Sequence, residues 1–81
     1  MNDVIKELSL LLLYLTSWEE DAVIAKVRRS WKGYPFEILD DLTEEEFISD
    51  SRRSKSVYLT EKGIKKAQET AKKYQIEDDN I

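Results

Sequence analysis

An 81-residue chain with net charge −4, 41% hydrophobic and 37% charged residues reads as one small folded domain, with a core that is marginal for its size. It has no Cys and no His, which excludes a disulfide framework, a thiolate metal site and an imidazole ligand or general base. The opening "MNDVIKELSLLLLYL" has acids where a secretory signal has bases, and its apolar run is short of the roughly 20 residues of a membrane helix. The expectation is a cytoplasmic chain with no membrane segment.

In chain order, Asn2 or Asp3 caps a first predicted helix that runs to about Leu15. Val4, Leu8, Leu11, Leu12 and Leu15 line one face of a 3.6-residue period, with Leu10, Leu13 and Tyr14 partly off it. A helix apolar around so much of its girth is either sandwiched inside the fold or shared with a second copy. Leu10, Leu13 and Tyr14 are therefore the candidate self-association residues of a homodimer. Ser17 and Glu20 match the capping-box pattern S-x-x-E and predict a second helix from about Trp18 to Trp31. Its stripe is Val23 or Ile24, Val27 and Trp31, although alternation at Val23, Ala25 and Val27 keeps a strand as the competing reading.

"KGYP" breaks the chain, because Gly33 terminates helices and Pro35 opens them. A third helix then buries Phe36, Leu39 and Leu42, with Ile38 beside them, and ends near Glu46. Short strands at about 47–49 and 56–59 flank the polar turn "SDSRRSKS". Thr60 caps a last helix with Glu61 in its first turn and Ile64, Ala67, Ala71 and Tyr74 inside. The acidic tail 76–81 is expected to fray, leaving one domain over 1–75. Helix, helix, helix, hairpin, helix is the order of a mainly α winged helix-turn-helix domain.

Two resemblances support that architecture. "FISDSRRSKSVYLTEKGIKKA" resembles the wing and closing helix of bacterial MarR- and PadR-type winged-helix regulators, through Phe47-Ile48 and then Leu59-Thr60-Glu61-Lys62-Gly63. "LLLLYLT", "SWKGYPFEILDDL" and "SKSVYLTEKG" together resemble a bacterial family of small stand-alone winged-helix domains that share W-K-G and K-S-V-x-L-T. The resemblance implies a fold and no activity. Glu46 stands where those relatives often carry Gly at the helix end.

The residue types argue against an enzyme and call for no cofactor and no metal. Asp40 and Glu44 share a helix face, but a hard cation needs several converging oxygens. Residues 36–47 carry six carboxylates and no base, and 34–42 offer no side-chain donor except Tyr34. Sequence-specific DNA readout by residues 35–46 is therefore not expected. Arg28, Arg29 and Lys32 with Arg52, Arg53 and Lys55 are the candidates for non-specific phosphate contact, weighed against simple pairing with neighbouring acids. Glu44, Glu45 and Glu46 lie at the unfavourable end of their helix, which leaves solubility, a basic partner, or pairing with Arg28, Arg29 or Arg52 as their reason. Trp31 and Tyr34, at the break, are candidate anchors for a protein partner. The function read from these features is a non-enzymatic interaction or regulatory module that self-associates. The alternative is a DNA-binding regulator that grips phosphate through the wing and segment 26–32.

Overall fold

A computed structural model of the chain describes residues 3–21, 26–51 and 53–77. Among them the elements are α1 (Asp3–Leu15), β1 (Trp18–Asp21), β2 (Lys26–Trp31), α2 (Phe36–Glu44), β3 (Ile48–Asp50), β4 (Ser56–Leu59) and α3 (Glu61–Lys73). The strands form one antiparallel sheet in the order β1-β2-β4-β3. Ile48, Val57 and Leu59 pack against buried side chains from all three helices, so the helices cover one face of the sheet. The architecture is three helices layered on a four-stranded antiparallel sheet. This overturns the winged helix-turn-helix expectation, because a hairpin of two strands stands where a second helix was predicted.

Two local facts explain the difference. Ser17 does not open a helix. Its hydroxyl donates back to the Tyr14 carbonyl, and Thr16 Oγ1 donates to the Leu12 carbonyl at 2.7 Å, so both residues close α1. The second fact is the need of β4 for a neighbour. A lone two-stranded hairpin is marginal in water, and β3 spans only Ile48–Asp50. β2 pairs along the whole of β4, from Arg28 opposite Leu59 to Trp31 opposite Ser56, and makes it an interior strand. Ser30 turns into the core and is satisfied there by Thr16 Oγ1 at 3.2 Å. Val23, Ile24 and Ala25 of the predicted stripe lie outside the described residues, as do Arg52 and the tail 78–81.

Helix α1 is rotated relative to its predicted face. Leu10, Leu11, Leu13 and Tyr14 are the buried residues, whereas Val4 and Leu12 are about half exposed. Leu10, Leu13 and Tyr14, the candidate self-association residues, therefore pack within one chain, and the apolar residues that α1 leaves about half exposed are Val4, Ile5 and Leu12. Tyr14 keeps its polar end satisfied by accepting from Gln68 Nε2 at 3.2 Å.

Polar contacts fasten α1 to its neighbours. Lys6 reaches Glu45 at 2.8 Å, and this bond raises the lysine's pKa. One of the acids at the end of α2 thus pairs with α1 instead of with Arg28 or Arg29. Glu7 accepts the Tyr74 hydroxyl at 2.9 Å and Lys73 Nζ at 3.2 Å. The tyrosine bond first, and then the lysine, hold the Glu7 carboxyl below its ordinary value of 4.5. A carboxyl depressed in the folded state adds stability above its unfolded pKa and loses it as pH falls through the folded one. Glu7→Gln is therefore expected to unfold at a lower temperature than the parent at neutral pH, with the gap closing as pH drops below 4.5. Thermal unfolding of both proteins across that range checks it, and a gap that persists in acid contradicts it.

Both α2 and α3 end in the same backbone device. Glu46 has φ 64° and Gln75 has φ 54°, each in the left-handed region. Phe47 N donates to the Leu42 carbonyl at 2.9 Å and Glu46 N to the Thr43 carbonyl at 3.0 Å, the paired bonds of a Schellman turn. Ile76 and Gln75 repeat the pattern on Ala71 and Lys72. Glu46 thus occupies the glycine-favouring position of a working terminator. Glu46→Gly should stabilise the domain by about 1 kcal/mol, since a side chain in this conformation costs about 1–2 kcal/mol that glycine avoids. Urea denaturation reads the difference, and an unchanged or lower midpoint contradicts it. Phe36, expected inside, is 80% exposed, because the apolar face of α2 begins at Ile38 and Leu39.

Candidate binding face of the sheet

Strand alternation assigns the open face. Cross-strand partners share a face, so the register puts Trp18, Arg29, Tyr58 and Ser49 in one row across all four strands. Glu20, Val27, Trp31 and Ser56 lie on the same side, two residues along their strands. Arg28, Ser30, Val57 and Leu59 point the other way, toward the helices.

The side chains of the open face hold one another. The Trp18 and Trp31 rings lie 5.0 Å apart with their planes tilted by 43°. The Arg29 guanidinium sits 4.6 Å from the centre of the Tyr58 ring. It also donates to Glu20 at 3.0 Å and to Ser54 Oγ at 3.3 Å, while its Nε is buried without an acceptor. A guanidinium stacked on a ring and tied at its ends is held nearly in one plane, and cation–π contact of this kind adds roughly 0.5–2 kcal/mol. Trp31 nonetheless keeps 63% of its surface in water, an unusual state for the largest apolar side chain. Polar substitution at this position therefore removes little that the fold needs.

The residues singled out in the sequence are divided by this geometry. Trp31 lies on the open face at the end of β2. Tyr34 is half-buried against the core, and burial pushes its hydroxyl pKa up. The basic residues do not form a single rim. Arg28 is on the helix side, where Nε donates to Ser17 Oγ at 2.8 Å and the guanidinium lies 5.7 Å from the centre of the Tyr14 ring. Arg29 and Lys32 do meet the β3–β4 turn. Lys32 pairs with Asp50 at 2.5 Å and donates to the Ser51 carbonyl at 2.6 Å, and its backbone N–H donates to the Lys55 carbonyl at 2.9 Å. Arg53 and Lys55 project from that turn, exposed and without a carboxylate partner among the described residues. Trp18 and Tyr58 are site residues that the sequence does not single out. Their signal is the period-two register, which becomes readable only once 18–21 and 26–31 are known to be strands.

A concavity of about 360 Å³ opens between the helices over Val4, Leu10, Leu42 and Phe47. Lys6–Glu45 and Lys73–Glu7 pair across its charged rim, which also carries Asp3 and Lys66. Among the described residues no group of three or more Asp or Glu is placed to hold a metal ion, and no helix is long and apolar enough to cross a membrane.

No curated protein and no solved structure matches the chain. The family match spans residues 1–77, which includes every element of the helical layer and both hairpins. The chain accordingly belongs to the family described as a domain of unknown function, DUF6429.

Proposed function

We propose that this chain is a non-enzymatic binding module that recognises a macromolecular partner with the open face of its sheet. The observation that carries this reading is Trp31, 63% exposed yet fixed against Trp18 at 5.0 Å. A rigid, solvent-facing aromatic loses little freedom on binding and releases much apolar surface, which is why interface energy concentrates in such residues. The absence of His and Cys from the sequence supports the non-enzymatic part, since nucleophilic triads and neutral-pH general bases lack their usual members.

The test uses the whole chain, immobilised, as parent and as Trp31→Ser, exposed to a cell extract that contains proteins and nucleic acids. A macromolecule retained by the parent and lost from the variant supports the open face as the recognition surface. Retention that is the same for both, with unchanged thermal unfolding of the variant, counts against it. Truncation of an interface tryptophan of this kind weakens binding by about thirty-fold or more.

A further inference from the structure

We infer that the occupant of this face is a single-stranded nucleic acid, its bases stacked on the Trp31–Trp18 and Arg29–Tyr58 platforms and its phosphates met by Arg53 and Lys55. The inference rests on the open face being the binding surface and adds the class of ligand.

Three features favour a nucleic-acid strand over a peptide. The first is the kind of surface. Two π-groups, one an indole pair tilted by 43° and one a guanidinium over a phenol ring, offer ring faces on an open sheet for a ligand to stack on. Bases stack on aromatic rings and on guanidinium planes regardless of sequence, because every base has a π-face. The second is spacing. Trp31 and Tyr58 are diagonal neighbours on adjacent strands, two residues off the Arg29–Tyr58 register. Such neighbours are about 7–8 Å apart. That is roughly twice the 3.4 Å per nucleotide of a stacked strand. A slightly splayed strand can therefore place one base on each platform.

The third is charge. The chain is acidic overall, but the six carboxylates of residues 36–47 belong to α2 and its end, in the helical layer away from this face. Among the described residues Glu20 is the one strand carboxylate on the open side, and Arg29 neutralises it at 3.0 Å. Asp50, at the same end of the sheet as Trp31, is neutralised by Lys32 at 2.5 Å. Among the described residues Arg53 and Lys55, in the turn at that end, have no carboxylate partner, so the local charge is positive and suits phosphate. Stacking and phosphate pairing do not read the 2′-hydroxyl, so RNA and DNA strands are expected to bind alike. A duplex, whose base faces are already stacked, is expected to bind more weakly.

The experiment is fluorescence anisotropy of labelled oligo-dT and oligo-U of about ten nucleotides, at low salt, with a duplex of the same length as control. Saturable binding of both strands, at least several-fold tighter than the duplex, is the expected result. Trp31→Ala should weaken it about ten-fold or more, the loss of one base-stacking contact. Arg53→Ala with Lys55→Ala should lower the dependence of log affinity on log salt by about 1.4, at roughly 0.7 per cation on a single strand. All three positions are exposed, so neither variant threatens the fold. No binding of either strand, binding indifferent to Trp31, or equal duplex affinity overturns the inference. If strands fail to bind while Trp31→Ser still abolishes capture of a protein, the ligand class is wrong and the open-face reading stands. If neither assay depends on Trp31, both are wrong.

Discussion

Gly63→Ala is expected to cost the domain about 3 kcal/mol or more. Helix propensity alone predicts the opposite sign, a gain of about 1 kcal/mol for replacing a helical glycine with alanine. Packing decides between the two. A Cβ built on Gly63 lies 1.9 Å from the Phe47 carbonyl oxygen and 2.8 Å from its carbon, and both are backbone atoms that no rotamer change can move. The same carbonyl accepts Thr60 N at 3.1 Å and Thr60 Oγ1 at 3.0 Å, while Gly63 N donates to Thr60 Oγ1 at 3.0 Å. Pushing α3 away from Phe47 would therefore strain the cap of α3 and the junction between α2 and β3 together. Gly33→Ala is the control, since nothing lies within 4 Å of its added methyl. It should shift stability by no more than about 0.5 kcal/mol. Urea denaturation of the two variants beside the parent checks the contrast, and equal midpoints for both would contradict it.

Leu13→Ala is expected to cost about 2–5 kcal/mol, the usual range for emptying a buried leucine site. Leu13 is fully buried, with Tyr14 and Leu10 beside it in the same cluster. A small domain holds only about 5–10 kcal/mol in total, so the variant should be partly unfolded near body temperature. The form of the loss matters as much as its size. Because the neighbours of Leu13 belong to its own chain, the unfolding midpoint should not change when protein concentration is raised about ten-fold. A dimer closed over this helix would show a midpoint that rises with concentration. Such a rise in the parent would restore the self-association that the buried positions of Leu10, Leu13 and Tyr14 argue against.

Much of the local structure was legible in the residues. The first helix, the two strands around the polar turn and the capped last helix all form close to their expected bounds. Each has a local cause: a 3.6-residue period, β-branched and aromatic runs beside turn residues, or a threonine at the cap. Segment 18–31 was not legible because its signals conflict locally. Ser17 and Glu20 satisfy a capping pattern, and Val27 and Trp31 fit a helical stripe. The outcome is set by β4, some 30 residues later in the chain, which needs a second neighbour. One misassigned segment then changes the architecture, since converting it to a hairpin turns a wing into half of a sheet.

The open face of the sheet was hidden for the same reason. Trp31 stood out by its position at a break, but Trp18 and Tyr58 acquire meaning only through register. The phase of α1 was misjudged because nearly every position from Leu10 to Leu15 is apolar, and a period cannot be located when there is little contrast to mark it. Glu46 shows a subtler limit. Its departure from the glycine of similar sequences put the helix end in doubt, yet the backbone takes the left-handed turn anyway and accepts the strain.

The strand order has one more consequence, for how the protein avoids the wrong partners. β1 and β3 are the two outer strands, each with unpaired backbone donors and acceptors along one side. Such rims invite another chain to add a strand and so to polymerise. Here β1 reads "WEED" and β3 is three residues ending in Asp50. An incoming strand would meet three consecutive carboxylates on one rim and too short a template on the other. The acidity that counts against nucleic acid when summed over the chain thus guards the sheet's margins against strand addition.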